Sequence, residues 1–322
     1  MDDSAYQHRY VLHWSNGRDY QILVADEIRE FLRPAIELTC LRPGTLPGGP
    51  RLYVHAAARP RGKRAEVTLA GWQTQSVHFW RYWFPPAGDE GVVAEIDLGF
   101  ELSGQPIDSL PGGAVHGDSP ILALRRWKVL GLYAPVLGAI RQSGGIHLHG
   151  GLVSVGGRGL ILAGPSGVGK STTCARLSHP WTVHCDDHVV LAEDPSSDGG
   201  GKALWWAHPW PTWSTFFANG IVQACDVADA VPLSALVFLE QARADEIVPL
   251  GVGVTAARLF ASNADMSAFE LRVVPPGERA RHRALVVEYA ARLARQAPGF
   301  ILRLSRDGRF WERLEGLLAT LP

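Results

Sequence analysis

One glycine-rich stretch constrains the fold of this chain more than any other segment. Residues 164–172 read Gly-Pro-Ser-Gly-Val-Gly-Lys-Ser-Thr. Gly164, Gly169, Lys170 and Ser171 occupy the fixed positions of the pattern G-x-x-x-x-G-K-[ST], which marks a phosphate-binding loop. A short apolar run precedes the loop, and a segment without helix breakers follows it. The stretch therefore predicts a strand, a phosphate-binding loop and a helix in succession.

The residue types in the loop indicate what it binds. Glycines allow successive backbone N–H groups to turn toward one phosphate, and the following helix directs its positive end at the same anion. We expect Lys170 to reach the β- and γ-phosphates of a nucleoside triphosphate, and the Ser171 hydroxyl to bind Mg²⁺. The sequence contains no Asn-Lys-x-Asp, which favours ATP over GTP. The predicted nucleotide-binding residues are Gly164, Pro165, Ser166, Gly167, Val168, Gly169, Lys170, Ser171 and Thr172.

The composition is that of an ordinary globular protein. Of its 322 residues, 46% are hydrophobic and 20% are charged, and the formal net charge is −1, so neither nucleic acid nor a membrane is expected as a partner. No apolar run reaches the roughly 20 residues of a membrane span, and the acidic start does not resemble a signal peptide. The four cysteines contain no C-x-x-C pair. These features predict a reduced, cytoplasmic protein without a zinc site.

Strand and helix patterns divide the chain into three parts. Residues 1–112 read as a β-rich N-terminal domain, for which substrate or partner recognition is one interpretation. Residues 113–143 read as a helical connector. Residues 144–322 combine strands and helices around the loop and predict an α/β domain that binds a nucleotide. Elements expected late in this domain are a strand over 233–240, a helix over 277–296, a strand over 300–304 and a helix over 309–321.

An aspartate pair follows the loop at short range. Asp186 lies 16 positions after Lys170, so one short helix and one strand bring the chain back toward the same sheet edge. Successive strand residues point to opposite faces, and Asp186 and Asp187 therefore cannot share one role. One carboxylate is expected on the Mg²⁺ side, and the other as a general base for an incoming hydroxyl. An exposed acidic turn without a catalytic role is the alternative.

Histidines near these segments are further candidates. His149 lies at the end of a predicted strand before the loop, where its imidazole can hydrogen-bond an aspartate and tune the aspartate's pKa, although most lone histidines are structural. His147 faces the same side of that strand and competes for the role. The segment Trp205–Trp213 is open to two interpretations, a wall of a peptide groove or a core loop. His208 within it is a candidate contact for phosphate or substrate.

These segments together resemble the catalytic domain of HPr kinase/phosphorylase. The resemblance rests on His149-Gly150, an apolar hairpin, the glycine-rich loop and Asp186-Asp187; it covers residues 144–192 well and the remainder to 322 loosely. Broader relatives include nucleotide folds of the phosphoenolpyruvate carboxykinase type. The layout is most similar to HPr-kinase-like peptide serine kinases of natural-product clusters, such as lasso-peptide precursor kinases. The implied fold is α/β, with a P-loop, HPr kinase/PEP-carboxykinase-like catalytic domain and a β-rich N-terminal domain.

The resemblance implies a role for each site residue. His149 is the histidine that assists the catalytic aspartate, and Asp186 is the base. Asp187 belongs with Ser171 on the Mg²⁺ side, and the two aspartates are open to exchange. Lys170 completes the catalytic set on the phosphate side.

The function expected from these features is ATP- and Mg²⁺-dependent transfer of the γ-phosphate to a serine hydroxyl. The partner is then a peptide or protein that carries the acceptor serine, for example a natural-product precursor peptide. The metal-linked glutamate of HPr kinases has no clear counterpart, and Arg243 and Arg258 are candidates for their arginine-bearing loop, so phosphorylase activity is not expected. A non-catalytic nucleotide-binding regulator and a small-molecule hydroxyl kinase are the alternatives, and a homo-oligomer is left open.

Overall fold

The chain divides into two units. Residues 1–139 with 269–279 make up the first, and residues 140–268 with 280–322 make up the second. The computed structural model describes residues 3–14, 19–38, 41–56, 73–77, 80–84, 91–96, 131–138, 140–141, 144–194, 204–210 and 225–322.

A mixed β-sheet forms the basis of the first unit. Its strands are β1 His8–Leu12, β2 Tyr20–Val24, β3 Arg42–Pro43, β4 Arg51–Ala56, β5 Gln73–Val77, β6 Trp80–Phe84 and β7 Val92–Ile96, and helix α1 spans Arg29–Leu38. The order is β3-β1-β2-β4-β7-β6-β5, with β2, β4 and β7 parallel to one another. Ile22, Leu52 and Ile96 are fully buried on these strands. In the predicted connector, residues 131–138 and 140–141 are helical, whereas residues 113–130 lie outside the described residues.

The second unit places the glycine-rich loop in a larger mixed sheet. Its strands are β8 Gly145–Val155, β9 Arg158–Ala163, β10 Thr182–Cys185, β11 His188–Glu193, β12 Trp205–Pro209, β13 Val231–Gln241, β14 Glu246–Leu250 and β15 Gly299–Leu304. The helices of this part of the chain are α2 Lys170–Arg176, α3 Val252–Val273, α4 Arg279–Gln296 and α5 Phe310–Thr320. The elements expected at β13, α4, β15 and α5 are confirmed to within two residues, and α3 is an addition to them.

The directions of the strands explain how the chain returns to the loop. The order is β10-β8-β11-β12-β13-β15-β14, and β9 pairs with both β8 and β13. β8 is antiparallel to β9 on one edge and to β10 and β11 on the other. β10 and β11 therefore run in the direction of β9, with β8 between them. On the other side of β9, β13 is parallel, with Phe238 opposite Ala163.

The sheet of the second unit separates two apolar cores. Leu236 and Phe238 of β13 face a core shared with α3 and α4, whereas Val237 and Leu239 face a core shared with α2 and α5. This alternation is the two-residue period of a strand that is buried on both faces. The second unit is thus a mixed α/β layer structure, as the sequence predicts. None of the described helices is long and apolar enough to cross a membrane.

Candidate active site

The glycine-rich loop has the strand–loop–helix setting that the sequence predicts. β9 ends at Ala163, and α2 begins at Lys170 with Gly169 as its N-terminal cap. Gly167 and Gly169 have φ values of 81° and 107°, a region of backbone space that glycine enters at little cost. Residues 165–167 at the tip are exposed to solvent. The loop therefore turns back on itself and leaves its tip accessible to a ligand.

The ammonium group of Lys170 lies inside this loop. Its Nζ atom donates hydrogen bonds to the carbonyl oxygens of Gly164 at 2.9 Å and Pro165 at 3.2 Å. The residue is only 6% exposed, because the loop wraps around its side chain. Both carbonyl acceptors are neutral, so these two contacts orient the positive charge without cancelling it. A cation held in this way is suited to phosphate oxygens.

Gly150 in β8 links the loop to the aspartate pair. On one side it pairs with Ala163, the last residue before the loop. On the other side its N–H donates to the carbonyl oxygen of Asp187 at 2.8 Å. Adjacent strands lie about 4.8 Å apart, so the backbones of Ala163 and Asp187 are separated by about 10 Å. The short return path predicted from the sequence thus corresponds to a short distance in space.

A close approach at Gly151 brings Asp186 near helix α2. A β-carbon at Gly151 would lie 2.7 Å from the Cys174 Sγ atom, 3.2 Å from the carbonyl oxygen of Cys185 and 3.4 Å from the Asp186 Cα atom. Burial raises the pKa of the Cys174 thiol strongly, with smaller contributions of the same sign from Cys185 and Asp186 and an opposing one from Lys170. The thiol therefore lies within the electrostatic reach of both Asp186 and Lys170, and Asp186 itself is buried.

Asp187 is partly buried and lies in a cluster with two buried histidines. Its Oδ1 atom accepts a hydrogen bond from His149 Nε2 at 2.9 Å, and its Oδ2 atom contacts His188 Nε2 at 3.2 Å. Burial alone would raise the pKa of Asp187, but the charges and hydrogen bonds of His188 and His149 together outweigh burial and hold this pKa well below its ordinary value of 3.8. The carboxylate is therefore ionised at neutral pH, with each oxygen held by one imidazole.

The contact of His149 is with Asp187, whereas the resemblance pairs the assisting histidine with a base at Asp186. His188 was not expected in the cluster, although its place directly after the aspartate pair was the available signal. The ring of His147, the competing histidine, lies 5.1 Å from that of His188. His147 is therefore next to the cluster, and of the two histidines that the sequence offers for the role, His149 is the one in contact with Asp187.

Helix α3 fixes the strand that carries these histidines. Ser262 Oγ accepts a hydrogen bond from the N–H of His149 at 3.0 Å and donates one to its carbonyl oxygen at 3.2 Å. Asn263 Nδ2 donates to the carbonyl oxygen of His147 at 2.7 Å. These residues of β8 lie beyond Gly150, where the pairing with β9 ends. The helix thus supplies partners for a strand edge that β9 does not reach, and no sequence pattern pointed to Ser262 or Asn263.

The tryptophan-rich segment is part of the core where it is described. Trp205 and Trp210 are buried, and residues 211–213 lie outside the described residues. His208 is fully buried, and its Nδ1 atom donates to the carbonyl oxygen of Val227 at 2.7 Å. Burial lowers the pKa of His208 to about 4, although the bond to Val227 opposes the shift. The neutral, buried imidazole is a structural group and does not lie at a surface that could receive phosphate.

A serine–histidine–aspartate chain occurs elsewhere in the second unit. Ser154 Oγ lies 2.8 Å from His184 Nε2, and His184 Nδ1 lies 3.0 Å from Asp229 Oδ2. Ser154 is buried near the end of β8, opposite Thr182 on one neighbouring strand and Gly159 on the other. A serine nucleophile needs access to substrate and nearby N–H donors for an oxyanion. This chain therefore joins β8, β10 and the turn before β13, and it does not have the form of a hydrolase site.

The fold and the site define an α/β protein in which a glycine-rich loop lies close to an aspartate that two buried histidines contact. The sequence model of the family described as SynChlorMet cassette protein ScmC matches residues 119–319. This match covers more than half of the chain and includes the loop, the aspartate pair and both histidines of the cluster. The chain belongs to the ScmC family. No curated protein matches the chain closely enough to count as a relative.

Proposed function

We propose that the chain is an ATP- and Mg²⁺-dependent kinase with an HPr-kinase-like catalytic domain, which transfers the γ-phosphate to a serine hydroxyl of a peptide or protein. The observation that carries this proposal is the convergence at Gly150 and Gly151. The loop that contains Lys170 begins directly after Ala163, which pairs with Gly150 from one side of β8. The ionised, histidine-bound Asp187 contacts Gly150 from the other side. A phosphate-binding cation and a hydroxyl-activating carboxylate are the two groups that such a transfer requires.

The residues on the phosphate side fit a magnesium nucleotide. The Ser171 hydroxyl and the Asp186 carboxylate are oxygen donors of the kind that Mg²⁺ prefers. Ser171 lies in α2 and Asp186 directly follows β10, and these two elements meet at Gly151. Mg²⁺ usually takes only one or two protein ligands and completes its shell with phosphate and water. A cluster of three protein ligands is therefore unnecessary, and none occurs among the described residues. When bound, the ion supplies charge neutralisation for the phosphates.

The residues on the acceptor side support Asp187 as the base. The serine oxygen forms a bond to the γ-phosphorus, the bond from that phosphorus to the bridging oxygen of ADP breaks, and the hydroxyl proton passes to the Asp187 carboxylate. His149 and His188 hold that carboxylate in one orientation. A carboxylate with a low pKa is a weak base, but phosphoryl transfer depends mainly on positioning and electrostatic stabilisation, so orientation matters more than basicity. On this proposal Asp186 takes the Mg²⁺ side and Asp187 the acceptor side.

The proposed cellular site is the cytoplasm, where ATP is abundant and thiols stay reduced. Cys174, Cys185 and Cys225 are buried free thiols in the part of the chain that the structure describes, which supports a reducing environment.

The test is phosphate transfer from ATP to candidate precursor peptides in the presence of Mg²⁺, followed by intact-mass analysis for one added phosphoryl group. Lys170→Met should weaken ATP binding by about 10-fold to 100-fold, because hydrogen bonds to charged groups contribute roughly 1.5–3 kcal/mol. Asp187→Asn should keep ATP binding and slow the transfer by about 100-fold or more. Asp307→Asn, at an exposed turn, is the matched control and should change neither.

Three results would argue against this proposal. If the wild-type chain binds ATP and transfers phosphate to no peptide or small hydroxyl compound, a nucleotide-binding regulator becomes the better description. If small hydroxyl compounds are phosphorylated and peptides are not, the acceptor class is wrong. Transfer that survives in both Asp186→Asn and Asp187→Asn would exclude the assigned chemistry.

A further inference from the structure

Strand β13 ends in a carboxylate at the edge of the sheet where the loop begins. Residues 235–239 are a fully buried apolar run, and Glu240 and Gln241 follow directly. β13 is parallel to β9, and Phe238 lies opposite Ala163. Since both strands run the same way, Glu240 extends beyond the last paired residues to the level of the loop.

The neighbours of Glu240 on both sides contact the loop. A β-carbon at Gly164 would lie 3.5 Å from the carbonyl oxygen of Leu239, so the start of the loop passes directly beside β13. Gln241 Nε2 donates to the carbonyl oxygen of Val168 at 3.3 Å, near the end of the loop. Glu240 therefore lies between two residues that hold opposite ends of the same loop.

The carboxylate of Glu240 is held in place by an arginine of α3. Glu240 Oε1 accepts a hydrogen bond from Arg258 Nη2 at 2.6 Å, and Oε2 lies 3.9 Å from Arg303 Nε. The guanidinium of Arg258 lies over the Phe238 ring, 5.7 Å from its centroid. The Glu240 side chain is 37% exposed, so its carboxylate remains accessible from solvent while the arginine limits its rotation.

We infer that Glu240 is a third acidic residue of the nucleotide site, a positioning residue whose carboxylate binds a water molecule in the Mg²⁺ shell of bound ATP. This inference rests on the proposed function. In nucleotide-binding proteins with such a loop, an acidic side chain commonly acts together with the loop serine or threonine in holding Mg²⁺. Mg²⁺ keeps several of its waters when bound, which leaves room for a carboxylate that acts through water. Arg258 fixes the orientation of Glu240 in this role.

The test compares ATP affinity by equilibrium dialysis with Mg²⁺ and with EDTA. The wild-type chain should bind ATP more tightly with Mg²⁺. In EDTA, Glu240→Gln should bind ATP with the same affinity as wild type. With Mg²⁺, its ATP affinity should be lower than that of wild type by about 10-fold to 100-fold, as is typical when a group that acts through a metal-bound water is removed. Because a half-exposed ion pair contributes little to folding, Glu240→Gln should remain folded, which circular dichroism checks.

Glu246→Gln is the matched control. Glu246 pairs with Arg303 at 2.8 Å in the same group of charges. Its strand β14 is separated from β9 by two strands, β13 and β15. This variant should keep the full Mg²⁺ effect. If Mg²⁺ strengthens ATP binding equally in wild type and in Glu240→Gln, the role inferred for Glu240 is wrong and the proposed function stands. If wild type binds ATP without any effect of Mg²⁺, the inference fails. If wild type binds no ATP in either condition, the inference and the proposed function both fail.

Discussion

Replacing Gly151 by alanine tests the close approach on which the candidate site depends. The new β-carbon would lie 2.7 Å from Cys174 Sγ and 3.2 Å from the carbonyl oxygen of Cys185, whereas ordinary contacts begin at 3.4 Å. The sulfur must therefore move by about 0.7 Å and the bend before Asp186 by about 0.2 Å. Overpacking of a core in this way costs about 1–3 kcal/mol of unfolding free energy, and the gain from replacing a strand glycine offsets roughly 0.5–1 kcal/mol of it.

The assay is urea unfolding of a double-mutant cycle with Cys174→Ala. Gly151→Ala alone should lower the free energy of unfolding by about 1–2 kcal/mol. In the Cys174→Ala background, Gly151→Ala should cost much less unfolding free energy, because the Cys174 Sγ atom is absent. The coupling energy between the two substitutions should be about 1 kcal/mol. Gly316→Ala, in a helix with no atom near its added β-carbon, should instead raise stability by up to about 1 kcal/mol. If the two changes in the cycle are additive, the described contact between β8 and α2 is refuted.

Two further predictions concern buried polar groups. The pKa of His208 is lowered from 6.5 to about 4 in the folded chain. Between these pH values the unfolded chain binds a proton at this residue and the folded chain does not. About 3 kcal/mol of the free energy of unfolding should therefore be lost as the pH falls from 6.5 to 4. His208→Gln should reduce this loss in urea titrations at stepped pH; an unchanged pH slope would contradict the assignment. Asn263→Ala should lower the free energy of unfolding by about 1–3 kcal/mol, because it leaves the buried carbonyl of His147 without its donor. A loss below about 0.5 kcal/mol would show that water replaces the amide.

The features that the sequence predicted well are those decided by neighbouring residues. The loop is bounded by β9 and α2 at the positions expected, because its glycines and Lys170 impose the local backbone path. The apolar hairpin before the loop consists of β8 and β9, and its turn lies at Gly156-Gly157, whose φ values are 57° and 74°. The return of the chain in the direction of β9 also follows from the short spacing, since few other connections of that length are possible.

Helix α3 was not predicted, and its first turn has a low helix propensity. Its first residues, Val252-Gly253-Val254, combine β-branched side chains with a glycine, all of which have low helix propensity. Yet this helix supplies Ser262 and Asn263 to the histidine strand and Arg258 to Glu240. Its stability comes from packing against the sheet, which is a long-range effect that a window of sequence does not contain.

The division of the aspartate pair between two environments depends on a bend that the sequence does not reveal. The register of β10 with β8 shifts between Val183 and Cys185, and the Cys185 thiol donates to the carbonyl oxygen of His188 at 2.9 Å. The bend keeps Asp186 against Gly151 and α2, while Asp187 contacts the imidazoles. Regular strand geometry predicted opposite faces for the two carboxylates, but it could not say which of them would meet His149.

This bend has a consequence for the proposed reaction. The backbone of Asp186 lies beside Gly151, which also approaches the helix that begins at Lys170, and the Asp187 carboxylate is oriented by His149 and His188. On the proposed function, the residues of the donor side and the acceptor side, Asp186 and Asp187, are thus joined by a single peptide bond. In-line phosphoryl transfer is sensitive to displacements of about 1 Å between the reacting groups. Because neither side can shift without moving the other, the bend between β10 and β11 is the part of the molecule that would keep ATP and the acceptor hydroxyl in register.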